Sequence, residues 1–285
     1  VVHRNSEVRE KRVDRMIQNK NIWHKEGTQG SPPGNHPDQE ILVPFGFQQI
    51  PKEEKVGRTL GHFNTVAAKY DFMNTLLSFG IHYLWKRTAI EMMHLKPGDR
   101  VLDVCGGTGD LAVLAARSVD LSGKVIIYDI NRKMMQVGRA KRNRSARRNR
   151  IECIQGDAES ISFPDDSFDA AMVGFGIRNL THMDLGFKEM HRILKPGGKI
   201  MCLEFSKPTA PLFRWLYDIY SFHVIPFLGK VLVGSRQAYL LLPESIRVFP
   251  LPEELLALLR DIGFHKVSYR RLTNGIAVVH VAEKR

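Results

Sequence analysis

Only three cysteines, Cys105, Cys153 and Cys202, occur in the 285 residues. Odd in number and far apart, they exclude a disulfide framework and a cysteine-held zinc cluster and favour a reducing compartment. Also missing is any run near ~18 consecutive apolar residues, so no membrane span is expected. The first residues lack an apolar signal-type stretch, and Glu7, Glu10 and Asp14 do not suit a mitochondrial transit peptide, which is poor in acids. No internal repeat is visible, and no metal is expected. Acidic residues are in deficit: 30 Asp+Glu face 42 Lys+Arg, and the net charge of +12 suggests an anionic partner, either nucleic acid or an anionic membrane surface. With 43% hydrophobic and 25% charged residues, the chain can bury one sizeable core.

What the sequence does contain centres on Arg100 to Asp110, RVLDVCGGTGD. An apolar run ends in Asp103, Gly106, Gly107 and Gly109 follow, and Leu111, Val113 and Leu114 then recur at helical spacing. Strand, tight turn and helix are predicted. Glycines let the backbone approach a ligand without a Cβ in the way, and the helix start offers free N–H groups, so the turn suits a nucleotide. Gly107 to Ala112 also satisfies the G-x-G-x-x-A dinucleotide fingerprint. The next strand, KVIIYD, ends in Asp129, a carboxylate placed to take both hydroxyls of a ribose, as nicotinamide enzymes and S-adenosylmethionine (SAM) methyltransferases both require.

Residues 1–44, with the Gly- and Pro-rich GTQGSPPGNHPDQ, read as a poorly ordered extension. Residues 45–98 read as an N-terminal helical cap, in which Val66, Tyr70, Met73, Leu76 and Leu77 make an apolar stripe beside Asp71 and Asn74. From residue 99 to 285 strands and helices alternate, which implies an α/β fold with a mostly parallel sheet and helices on both faces. Ligands in such sheets bind beyond the carboxyl ends of the strands, which here carry Asp103, Asp129, Asp157, Gly174 and Glu204. KPGGK at 195–199 marks a helix stop and tight turn, and 207–250 is an aromatic-rich insertion suited to a lid.

The missing hydride-transfer apparatus and Gly156-Asp157-Ala158 after the third strand tip the balance toward a methyltransferase. More specifically, KYDFMN (69–74), SFGIH (78–82), LDVCGGTGD (102–110), GFGIRN (174–179), HRILKPGG (191–198), LEFSKP (203–208), YDIYSFHVIP (217–226) and ESIRVFP (244–250) together resemble the ubiquinone/menaquinone biosynthesis C-methyltransferases. The resemblance runs from about Phe45 to the C-terminus. It implies a class I, Rossmann-like SAM-methyltransferase fold of seven strands with the last antiparallel. The implied reaction is C-methylation of a polyprenyl benzoquinol or demethylmenaquinol.

Carried over by motif, Thr108, Asp129, Asp157 and Ala158 would contact SAM, Gly107 and Gly109 would shape the turn, Gly174 would border the cofactor, and Asp103 would orient its amino group. Tyr70, Asp71, Asn74, Arg178, Asn179 and Tyr217 would line the quinol pocket. A phenol ionises near pKa ~10, so a guanidinium such as Arg178 beside the oxyanion would help a ring carbon attack. His223 or Asp71 would accept a proton. The enzyme would sit at the cytoplasmic face of the membrane as a peripheral protein, docking through RAKRNRSARRNR at 139–150; its oligomeric state, including a homodimer or a biosynthetic complex, stays open. The alternatives are a nucleic-acid-binding or RNA-modifying methyltransferase, motivated by the same basic run, and a nicotinamide-dependent oxidoreductase, resting only on the fingerprint.

Overall fold

The computed structural model describes residues 41–120 and 122–285. Most of the expected N-terminal extension, residues 1–40, therefore lies outside the described residues, whereas 42–44 already belong to a strand. A hairpin of β1 (Leu42–Phe45) and β2 (Gln48–Pro51) leads into the cap helices α1 (Lys52–Val66), α2 (Tyr70–Leu77) and α3 (Ile81–Met93). A 3₁₀ turn at Ala67–Lys69 separates the first two. Phe79 (φ 51°) and Gly80 (φ 75°) separate the second from the third, because two successive left-handed residues end a helix.

Alternation follows as β3 (Arg100–Val104), α4 (Asp110–Ser118), β4 (Lys124–Asp129), α5 (Arg132–Val137), α6 (Arg139–Arg144), β5 (Ile151–Gln155), β6 (Phe168–Gly174), α7 (Met183–Ile193) and β7 (Leu194–Phe205). Three lid helices, α8 (Pro211–Ile219), α9 (Ile225–Val233) and α10 (Arg236–Val248), precede α11 (Pro252–Ile262), β8 (Phe264–Leu272) and β9 (Ala277–Lys284). The seven strands run in the order β5-β4-β3-β6-β7-β9-β8, with β3 to β7 parallel and β9 antiparallel to both neighbours. This is the expected class I methyltransferase topology.

Central strands read as apolar runs because both sheet faces are covered. Leu102 and Val104 pack toward Phe187 and Leu255 on one side, and Val101 packs toward Ala89 and Ala115 on the other. The KPGG turn lies inside β7 rather than before it: Leu194 pairs with Phe168 and Lys199 with Ala170, so the residues between bulge outward around Gly197 (φ 77°).

The lid contains the longest apolar helical stretch among the described residues. A π turn at Tyr220–Val224 joins α8 and α9 into 23 continuous helical residues, Pro211–Val233, long and apolar enough to cross a membrane by length and composition alone. One side packs on the cap, with Ile225 clustered with Val66 and Met73 of the cap and with Tyr239 of α10. Its other side exposes Leu212, Trp215, Phe227 and Val231.

Candidate active site

The turn after β3 is organised by two carboxylates. Asp103, at the end of the strand, accepts from the Ala112 amide at 3.1 Å through Oδ2, while its buried Oδ1 has no hydrogen-bond partner among the described residues. A Cβ at Gly106 would stand 2.8 Å from that carboxyl, so only glycine fits there. Asp129, at the end of β4, accepts from Gly107 N at 2.8 Å and from Asn131 N at 2.6 Å. Each of its oxygens keeps a lone pair, and burial raises its pKa.

Thr108 and Asp71 do something other than expected. The Thr108 hydroxyl donates to Asp71 at 2.7 Å, and Lys141 Nζ reaches Asp71 at 2.8 Å, Thr108 at 3.0 Å and also Asp110. Lys86 closes the network onto Asp110. Burial alone would raise Asp110, but the two lysines hold its carboxyl well below the usual range. This polar lock fastens the cap to the glycine turn. Asp103, Thr108, Gly109 and Asp71 line neither of the two cavities described next, and Asp71 is committed to Lys141 and Thr108 rather than left free to accept a proton.

One cavity, of about 90 Å³, is lined by Gly107, Asp129, Asp157, Ala158 and Gly174. A second, of about 370 Å³, lies under the lid and takes in Asn74, Arg178 and Tyr217. Phe63, Tyr70, Phe175 and Asn179 line both, so the two spaces share a wall. Asn179 brings a buried amide nitrogen without a partner among the described residues. His223 is exposed, its ring nitrogen lies 3.3 Å from the Ile219 carbonyl, and it lines neither cavity, which sets it apart from the proton-acceptor role expected of it.

Arg178 is buried in the larger cavity's wall. Its Nη1 donates to Glu204 Oε2 and to the Phe175 carbonyl, each at 2.7 Å. Burial pushes the Glu204 carboxyl up while Arg178 opposes the rise, and Oε1 is left without a partner among the described residues. Motif reading placed Glu204 at a strand end but missed that it holds Arg178. It also missed His62 and His82, both in the larger cavity's wall. Burial lowers each imidazole to about 4, with Arg178 adding to the fall at His62 and Lys86 at His82.

The basic run is not a free patch. Arg142 is buried and donates to the Met135 carbonyl at 2.7 Å, Arg147 pairs with Asp120 at 3.0 Å, and Lys141 belongs to the lock. Arg139, Arg144 and Arg148 are exposed.

The model of the ubiE/COQ5 methyltransferase family matches residues 48–284. The ubiquinone/menaquinone biosynthesis C-methyltransferase UbiE of Francisella tularensis subsp. mediasiatica is 46% identical over 84% of this chain and 96% of its own length. Its namesake from Ectopseudomonas mendocina is 44% identical over 88% and 98%. A solved SAM-dependent methyltransferase from Thermotoga maritima shares the fold, with a TM-score of 0.56 at 20% identity over 80% of this chain and 100% of that one.

Proposed function

The chain belongs to the ubiE/COQ5 methyltransferase family, and from that premise we propose that it methylates a ring carbon of a polyprenylated quinol in ubiquinone or menaquinone biosynthesis. It is a SAM-dependent methyltransferase. The observation that carries the substrate reading is the shared wall: a small cavity at the strand ends, carrying Asp129 and Asp157, meets a larger, mostly apolar one across Phe63, Tyr70, Phe175 and Asn179.

The residues present fit the cofactor. Buried Asp103 has an oxygen lacking a partner among the described residues, and the methionine ammonium would supply one. Asp129 has acceptor capacity left for the ribose diol, and Asp157 and Ala158 line the same cavity, where adenine would lie. Bound there, SAM supplies an electrophilic methyl group. Arg178 then holds the quinol oxygen as it gains negative charge, and Glu204 fixes the direction of the guanidinium. The aromatic wall keeps water from the reacting atoms. Incubating the chain with SAM and reduced polyprenyl quinols should give one new methyl on a ring carbon by fragment mass spectrometry. Methylation at oxygen, or none, would overturn the reading.

Cofactor binding should be linked to protons. Burial pushes the Asp103 carboxyl up to about 8, far above its unfolded value. Between those values the folded state holds the proton, so this group's contribution to stability falls as pH rises toward 8. An ammonium at Oδ1 favours the carboxylate, so SAM binding below that pH releases a proton and tightens with rising pH, by up to about tenfold per unit. Calorimetry at pH 7 in buffers of different ionisation enthalpy should register the release; no buffer dependence would refute it.

A substrate that lives in the bilayer calls for peripheral docking. What supports the lid in this role is the exposed apolar side of Pro211–Val233 beside the cavity, with the exposed arginines of 139–150 adding attraction to anionic lipid. Replacing Trp215, Phe227 and Val231 with Ser should weaken liposome sedimentation by about tenfold or more, since each large side chain buried is worth about 1.5–3 kcal/mol. Unchanged sedimentation would exclude this face.

A further inference from the structure

His82 begins a chain of hydrogen bonds whose directions can be assigned. Thr75 Oγ1 donates its one hydrogen to the Asp71 carbonyl at 2.9 Å. In this assignment, with that hydrogen on the Asp71 carbonyl, the hydroxyl accepts in its 3.2 Å contact with His82 Nε2 and in its 3.1 Å contact with the Tyr83 hydroxyl. The imidazole thus carries its proton on Nε2 and leaves Nδ1 as a bare acceptor. That Nδ1 is buried without a partner among the described residues, in a side chain only 4% exposed that lines the larger cavity. Tyr83 lies against the ring at a centroid distance of 4.0 Å and limits its rotation. A buried acceptor with no donor is costly, and a ligand that brings an O–H repays it.

We propose that His82 reads the oxidation state of the substrate ring: its Nδ1 accepts a hydrogen bond from a quinol hydroxyl, so the reduced ring is held and the quinone is turned away. This rests on the quinol reading above. A quinol presents two hydroxyls, para to each other. Arg178, a pure donor, suits the oxygen that becomes negative, and His82, a pure acceptor, suits the hydroxyl that keeps its hydrogen. A quinone carbonyl opposite Nδ1 sets acceptor against acceptor and leaves both unsatisfied. Discrimination at the binding step follows from chemistry, because only the electron-rich ring can attack a methyl group. The imidazole stays neutral through the physiological range, its pKa lowered to about 4 chiefly by burial, so it does not become a donor there. The charged groups it feels are Lys86, Asp110, Asp71 and Lys141.

The test uses the full chain under anaerobic conditions, with a prenylated benzoquinol and its matching benzoquinone as probes, and measures the ratio of their dissociation constants. The parent chain should prefer the quinol by about 10- to 100-fold. In His82→Gln the amide can turn its NH₂ to a carbonyl, and the preference should shrink to within about threefold with SAM affinity unchanged. Thr75→Val, which removes the partner of Nε2 and frees the tautomer while keeping the imidazole, should weaken the preference in the same direction. Packing damage alone would weaken both probes together and leave the ratio in place. A parent chain that methylates quinol yet binds both forms equally overturns this inference alone, as does a ratio that survives His82→Gln. A parent chain that binds neither form overturns the substrate reading with it.

Discussion

Asp129→Ala is expected to lower SAM affinity by about 30- to 1000-fold, the equivalent of about 2–4 kcal/mol of charged hydrogen bonding. One carboxylate presents two acceptor oxygens to a vicinal diol, and its backbone partners already hold those oxygens in place: Gly107 N on one side and Asn131 N on the other. The same bonds tie the glycine turn to β4, so part of the loss arises because the turn relaxes. Asp129→Asn separates the two contributions. It keeps one acceptor but sets an NH₂ against a backbone N–H, and it should fall between the parent and the alanine variant in affinity. Calorimetric titration with SAM measures the effect; an affinity equal to the parent's would remove Asp129 from the cofactor site.

Arg178→Ala is expected to lower kcat by about 10²- to 10³-fold while SAM affinity stays near that of the parent, as for loss of one fixed oxyanion donor. Arg178→Lys should recover only part of the rate, since an ammonium keeps the charge but loses the planar guanidinium, whose Nη1 serves Glu204 and Phe175 and whose Nε reaches Ser245. The buried pair adds a second effect. Removing the arginine strands a carboxylate that is 1% exposed, and stranding one partner of such a pair costs about 3–5 kcal/mol. The alanine variant should therefore unfold at a lower temperature. Arg178→Met combined with Glu204→Gln should regain most of that stability and none of the rate, which separates chemistry from folding. A defect confined to SAM affinity would place Arg178 on the cofactor's side of the wall.

The polyprenyl-quinol reading draws its cofactor half from one short stretch of chain. Asp103, the three glycines and Asp129 are legible in sequence because a strand, a turn and a helix start are local structures. Strand alternation likewise dictates that Asp103, Asp129, Asp157, Gly174 and Glu204 emerge at one edge of a parallel sheet. The acceptor half is different. Phe63 and Tyr70 come from the cap, Phe175 and Asn179 from the segment after β6, and Tyr217 from the lid, and no spacing along the chain records that they share one space.

Local patterns also misled where a charge had an unseen partner. Asp71 beside an apolar stripe looks available until Lys141, 70 positions away, closes on it. Arg142, inside a run of cations, reads as a surface charge yet is buried on the Met135 carbonyl. His223 sits within a family motif, but its helix turns it outward, while His62 and His82 stand in the cavity wall.

Sequence by itself determined the fold class, the cofactor turn and the ribose-side carboxylate, because each depends on contacts between near neighbours or on a repeating strand-and-helix rhythm. Tertiary structure alone decided which titratable groups line the larger cavity, how Glu204 holds Arg178 and which side of the lid stays bare. Those outcomes depend on burial and on hydrogen-bond partners that meet only when distant segments pack, and burial is what keeps the His82 imidazole neutral.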